Sequence, residues 1–294
     1  MNERWTKWAA VAVLSIGAAA PALGGSVTRP GDTIGLAVGV PLPEGFHLGN
    51  TTTEQCTDTS PQKTCFLVDV PIIIWTTQWT IFGARLQGNF GPLVPIKFNS
   101  GPHASGLFNG FGAAQLIWDL GNNWGFSYLL GGYTNSSHKV AFSSGSLNQR
   151  WGLSYTGDGW DLTANLIWGI QFDHVTNRPQ LSPCPVSAAY PDNGCNPNFL
   201  NLDLTATKKL GKWEFGPVGL YSTDLNSPIA AYQKQRQFAL GGLVGYYFDK
   251  VVVQAFVTSD VYERNYGGRT ISGNFRFLVP LGKPPPLTWP IGGS

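Results

Sequence analysis

The stretch Trp160-Asp161-Leu162-Thr163-Ala164-Asn165-Leu166-Ile167-Trp168-Gly169-Ile170-Gln171-Phe172-Asp173 decides the fold of this chain. Trp160, Leu162, Ala164, Leu166, Trp168, Ile170 and Phe172 share one parity; Asp161, Thr163, Asn165, Gln171 and Asp173 share the other. Alternation with period two is a β-strand, apolar on one face and mostly polar on the other. Strands of soluble proteins usually run about five or six residues. This one is long enough for the roughly 9 to 11 residues that a tilted strand needs to cross a bilayer. Its aromatic ends, Trp160 and Phe172, fall where a membrane strand meets the two interfaces.

Composition agrees. Charged residues make up 12% of the 294 residues, against roughly 25% in soluble globular proteins. The chain holds 11 Trp, 10 Tyr, 17 Phe and 37 Gly. No run of about 18 apolar residues is present beyond the N-terminus, so a bundle of spanning helices is excluded and a barrel is not. The net charge of +2 is too small to point to nucleic acid.

At the N-terminus, Arg4 and Lys7 precede the apolar stretch Trp8 to Leu23 and the small residues Gly24 to Ser26. That order reads as a secretory signal peptide over 1–25, with cleavage after Gly24 or Gly25. Export permits disulfides, and the four cysteines fall in two close pairs, Cys56 with Cys65 and Cys184 with Cys195. Neither pair has CxxC spacing and no histidine lies inside either loop, which argues against zinc. The expected layout is a barrel over 26–281 and a Pro-rich periplasmic tail over 282–294, opened by Gly282-Lys283-Pro284-Pro285-Pro286.

Turn signals cut the mature chain into strand-length pieces. Short connections are expected at Thr76-Thr77-Gln78, Gly121-Asn122-Asn123, Gly157-Asp158-Gly159, Gly211-Lys212 and Asp249-Lys250. Long ones are expected near 41–63, 91–105, 135–147, 174–198, 224–235 and 263–269. Short periplasmic turns with long extracellular loops form the outer-membrane pattern. The strands between are 33–40, 64–75, 79–90, 106–119, 124–134, 148–156, 160–173, 199–209, 213–223, 236–248, 251–262 and 270–280. The fold class is therefore all-β, a transmembrane antiparallel up-and-down barrel of about twelve strands. The weakest strand is 33–40, because Gly35, Gly39 and Pro41 interrupt it. Were it a plug inside the lumen, the count would turn odd.

The faces assigned to the lumen carry Arg85, Asp119, Asn165, Gln171, Asp173, Asp203, Glu214, Gln254, Asp260 and Arg276. Two roles stay open: lining a permeation path, or pairing across a narrow lumen so that buried charges are satisfied, the second being favoured. The inward apolar residues Ile117, Leu129 and Phe256 suit either a hydrophobic solute or a plug. His47, His103, His138 and His174 fall in long loops or at strand ends, and the chain has neither GxSxG nor HExxH. No catalytic residue, metal or cofactor is therefore expected, the rival readings being a lipid-modifying enzyme and a structural or adhesive barrel.

Several segments resemble the phenol meta-pathway degradation family of SphA-type outer-membrane proteins. They are Val27-Thr28-Arg29-Pro30-Gly31-Asp32, Pro41-Leu42-Pro43-Glu44-Gly45-Phe46, Pro71-Ile72-Ile73-Ile74-Trp75-Thr76 and Gly83-Ala84-Arg85-Leu86. Lys208 through Gly219, Ala239 through Tyr246, and Arg264-Asn265 extend the likeness through the C-terminal half. The resemblance implies an outer-membrane channel for small hydrophobic or aromatic compounds. Its motifs are turn and strand patterns, so no functional residue carries over. The partners expected are outer-membrane lipid, a small hydrophobic or aromatic solute, and the barrel-assembly machinery during biogenesis.

Overall fold

The structure, a computed structural model, describes residues 26–59, 63–92, 95–100, 105–136, 140–177, 184–185 and 193–282. The expected signal peptide and most of the expected tail lie outside these residues. The strands are β1 (Gly45–Thr57), β2 (Thr64–Ile81), β3 (Ala84–Gly91), β4 (Pro95–Ser100), β5 (Ser105–Leu107), β6 (Phe111–Gly121), β7 (Trp124–Tyr133) and β8 (Ser146–Tyr155). They continue with β9 (Trp160–Gln171), β10 (Val175–Thr176), β11 (Gly194–Cys195), β12 (Phe199–Leu210), β13 (Trp213–Asp224), β14 (Arg236–Phe248), β15 (Val251–Arg264) and β16 (Thr270–Gly282).

β10 and β11 pair only with each other; the other strands pair antiparallel with their neighbours around one sheet, and β1 closes it by pairing with β2 on one side and β16 on the other. β3 and β4 both pair with β2, from Ile73↔Phe90 to Val68↔Ile96, so they form one stave; β5 and β6 form the next. The result is a closed barrel of twelve staves. Closure pairs the backbone of each strand with its neighbours, which is what lets a sheet stand in hydrocarbon.

The faces follow the alternation. On β9, Trp160 and Leu162 are 42% and 39% exposed, whereas Thr163 and Asn165 are 5% and 2% exposed. The same division puts Leu204, Leu240, Val257 and Phe275 outside and Asp203, Ala239, Phe256 and Asn274 inside. Among the described residues no helix is long and apolar enough to cross a membrane.

One end carries tight hairpins. Phe82 and Gly83 have φ of 52° and 77°, and Asn122 and Asn123 have 52° and 65°. Left-handed φ at both central residues is the turn whose twist matches that of the flanking strands. Outward aromatics cluster just above this end: Phe46 stacks on Trp75 at 5.6 Å, Trp124 meets Tyr155 at 5.2 Å, and Trp213 meets Tyr246 at 4.7 Å. Such a belt suits a membrane interface, where an amphipathic ring meets both lipid and water.

The first 105 residues depart from the sequence expectation in three places. Residues 33–40 are not a strand but a chain of turns inside the barrel, and the first strand is β1, within the stretch expected as the loop 41–63. The even count survives because one strand is lost and another gained. Above its middle β1 is polar on both faces, with Thr51, Thr53 and Gln55 inward and Asn50, Thr52 and Glu54 outward, so no alternation marks it. Outside, Asp69 Oδ1 accepts hydrogen bonds from Asn50 Nδ2 at 2.7 Å and Thr52 Oγ1 at 2.6 Å, which lowers the cost of that polar patch.

The turn expected at Thr76-Thr77-Gln78 is instead a bulge between Thr76 and Thr80 inside β2. Thr77 Oγ1 accepts from Trp79 N and donates to the Leu86 carbonyl, so side-chain bonds stitch the bulge. The hairpin turn lies at Phe82-Gly83. Lastly, the loop expected over 91–105 is largely wall: β4 extends the stave along Cys65 to Val68. Pro92 and Pro95 stand at the junction and have no N–H to donate there.

Candidate functional site: a plugged lumen

Residues 26–43 run through the barrel interior before β1 begins. Consecutive turns fold them: Asp32 N donates to Arg29 O, Ile34 N to Gly31 O, and Leu36 N to Thr33 O. Gly31 and Gly35, at φ of 88° and 77°, take conformations that an L side chain would resist. The plug brings its own apolar core into the lumen, where Ile34 packs with Val218, Leu220, Ala239, Leu243 and Phe256.

Polar wall residues hold the plug. Asp203 on β12 accepts Gly31 N at 2.8 Å through Oδ1, and Thr33 N at 2.9 Å and Thr33 Oγ1 at 2.7 Å through Oδ2. Asn165 on β9 donates to Thr33 Oγ1 at 2.9 Å. Arg276 on β16 donates to the carbonyls of Asp32 and Ile34 and to Thr51 Oγ1. Gln254 on β15 donates to Gly35 O at 2.8 Å, and Gln115 on β6 to Val38 O at 3.1 Å. An ion pair inside the plug, Arg29 with Asp32 at 2.9 Å, is tied to the wall by Arg29 donating to Asn274. Of the residues assigned to the lumen from sequence, then, Asn165, Asp203, Gln254 and Arg276 meet at the plug.

The others lie elsewhere. Glu214 is 2% exposed and accepts from Thr207, Tyr247 and Gln254, a network beside the plug. Asp260 accepts from Gln237 Nε2 and Thr270 N near the extracellular end. Gln171 is buried on the inner face, and its side-chain oxygen and nitrogen have no partner among the described residues. Arg85 donates to Thr77 O at the bulge. Asp119 and Asp173 are not lumen residues: both are exposed at the rims, Asp119 accepting Gly121 N beside a hairpin turn and Asp173 lying beyond the end of β9. Alternation assigns them inward, but at the end of a stave the inward direction already faces water.

His47 sits inside β1, 4% exposed and turned inward, rather than in a loop. His174 Nδ1 contacts Asn196 O at 3.0 Å in an extracellular loop. His103 and His138 lie outside the described residues.

Across the barrel from Asn165 and Asp203, β2 turns an apolar ladder inward: Phe66, Val68, Val70, Ile72 and Ile74 all line a cavity of about 460 Å³ between plug and wall. Its upper part joins a cluster of Val27, Phe66, Val68, Ile96, Val140, Phe142, Ile167 and Phe199. Leu129 also lines the cavity, whereas Phe256 packs on the plug. The ladder was legible only indirectly, since β2 is apolar on both parities and names no inner face. A strand apolar on both faces within a barrel that otherwise alternates is itself the signal of an apolar lumen patch. Polar groups flank the ladder on the adjoining staves, chiefly the amides Gln87, Asn89 and Gln115, which bond one another at 3.1 to 3.3 Å and also line the cavity.

The extracellular end is stapled. Cys56 and Cys65 are bonded across β1 and β2, and Cys184 is bonded to Cys195. The second bridge packs with Ile229 and Tyr232, and Tyr232 donates to Asp224 Oδ2 at 2.8 Å. Burial and that carboxylate push the Tyr232 hydroxyl well above the usual phenol range.

A closed barrel with an apolar belt outside and a polar, plugged interior defines an outer-membrane β-barrel protein. The chain belongs to the family described as "Putative MetA-pathway of phenol degradation", whose model matches residues 29–277. No curated protein matches it significantly. Among solved structures it is similar to the COG4313 outer membrane channel from Pseudomonas putida F1, at 14% identity and a TM-score of 0.59, over 81% of this chain and 96% of that one. It is also similar to the NanC porin, at 9% identity and a TM-score of 0.50, over 80% of this chain and 100% of that one. At these identities the likeness is one of fold.

Proposed function

We propose that the protein is an outer-membrane channel for the uptake of small hydrophobic, above all aromatic, compounds. The observation that carries this reading is the inward ladder of β2, from Phe66 to Ile74, along a cavity of about 460 Å³. Hydrated ions and sugars gain nothing from an apolar wall, whereas a benzene-sized solute buries its surface there at roughly 25 cal/mol per Å². Family membership supports the same solute class. The plug keeps polar traffic low, because its anchors fill the part of the lumen that would otherwise hold water.

On this reading residues 1–25 direct export and are removed, the barrel-assembly machinery inserts the chain, and outer-membrane lipid surrounds the apolar belt. The test is liposome uptake of phenol against glycerol by the refolded protein, after its β-sheet is verified by circular dichroism. Phenol enters faster through protein-bearing liposomes than through bare ones, and glycerol does not. Equal rates for phenol with and without protein overturn the reading.

A further inference from the structure

Arg150 on β8 is a half-buried cation lining the cavity. Its Nε donates to Asn148 Oδ1 at 2.7 Å, one Nη donates to Tyr133 Oη at 3.5 Å, and the guanidinium lies over the Phe111 ring at 4.8 Å. Phe111 and Tyr133 are themselves packed at 4.8 Å between ring centroids. These contacts orient the guanidinium without neutralising it. The ion pairs among the described residues are Arg29 with Asp32 and Lys63 with Asp58, and Arg150 is in neither. The cavity's own carboxylates are engaged elsewhere: Asp32 by Arg29, Asp161 by Thr163 and Asp260 by Gln237.

A charge half withdrawn from water into an apolar chamber is costly unless an opposite charge joins it. A fixed guanidinium fork with a free edge matches a carboxylate in bidentate geometry. Aromatic rings beside it and the β2 ladder across from it suit an apolar body attached to that carboxylate. We propose that Arg150, with Phe111 and Tyr133, forms a binding site for aromatic monocarboxylates inside the lumen. The site rests on the uptake reading and narrows it, since it singles out hydrophobic solutes that carry one negative charge. Asn148 and Tyr133 position the guanidinium, and Asn148 Nδ2 also bonds Thr28 Oγ1 of the plug at 3.0 Å, so the site abuts the gate.

The test is calorimetric titration of the whole barrel in detergent at pH 7 with benzoate and with benzyl alcohol, which have rings of one size and different charge. Wild type binds benzoate about tenfold or more tightly than benzyl alcohol, the ratio expected of one charge-assisted hydrogen-bonded pair. Arg150→Gln removes that preference while benzyl alcohol binding stays; Arg150→Lys retains part of it. Wild type that binds the two solutes equally overturns the site even if Arg150→Gln fails to assemble. Liposome uptake separates this inference from the broader one. Entry of benzyl alcohol with no benzoate preference sinks the site and leaves the channel. A benzoate preference that depends on Arg150, with neither solute entering, sinks the channel and leaves the site.

Discussion

Asp203 holds Thr33 with a single oxygen, Oδ2 accepting both the backbone N–H at 2.9 Å and the hydroxyl at 2.7 Å. A barrel residue thus supplies to the plug the bonds that a helix or sheet would otherwise provide. Asp203→Ala leaves two plug N–H groups and one hydroxyl without their acceptor, at about 1 to 3 kcal/mol for each buried donor left unsatisfied. The barrel assembles and the plug loosens. Single-channel conductance in planar bilayers is expected to rise; unchanged conductance would show that Asp203 does not hold the gate.

The plug backbone also passes the wall at Gly39 against Gly125, where a Cβ on Gly125 would stand 2.2 Å from the Gly39 carbonyl oxygen. Gly125→Val therefore expels this part of the plug. Limited proteolysis checks it: cleavage within 26–43 appears in the variant and not in the wild type.

The two faces of β9 differ by one residue. Leu166 lies outside opposite Leu202 and Trp151, so Leu166→Arg places charge in lipid, costing about 2 to 4 kcal/mol near the midplane. Loss of the heat-modifiable folded band on gels is the expected result. Asn165→Arg keeps the barrel but displaces Thr33, to which Asn165 donates, and alters permeation. Equal assembly and equal conductance for both variants would contradict the assignment of faces.

Ile72 faces the cavity at the middle of the ladder. Ile72→Asp is expected to lower phenol uptake severalfold without loss of assembly, because the new carboxylate holds water where the solute's ring would lie. Uptake at the wild-type rate would remove the ladder from the path.

Replacing Cys184 and Cys195 by serine breaks a bridge between residues 11 apart in sequence. A loop of that length contributes about 3 kcal/mol by chain entropy. Since the bridge packs with Ile229, Tyr232 and Val175 rather than with the barrel sheet, the loss is local. Hydrogen exchange should quicken over 225–235 and leave the amides of β12 and β13 protected.

Most staves were legible because lipid outside and polar groups inside impose alternation, as on β9 and β12. Legibility failed where that contrast fails. β1 is polar on both faces in its upper half, and β2 is apolar on both through its middle, so one read as a loop and the other concealed the ladder. The bulge at Thr77 imitated a turn, because Thr-Thr-Gln has turn chemistry whether or not the strand resumes after it. Nothing in the local pattern of β8 singles out Arg150; its meaning comes from Asn148, two residues earlier on the same face, and from Phe111 and Tyr133, which pairing across β6, β7 and β8 brings beside it.

By itself, then, the sequence determined an outer-membrane barrel, its approximate count of staves and the sides of its turns, because these are written in local period and turn chemistry. The tertiary structure decided that 26–43 is a plug, that Asp203, Asn165, Gln254 and Arg276 hold it, and that an apolar ladder and an unpaired guanidinium share the remaining space. Those facts depend on residues from distant strands meeting across a closed lumen, and the closing of β1 between β2 and β16 brings them together.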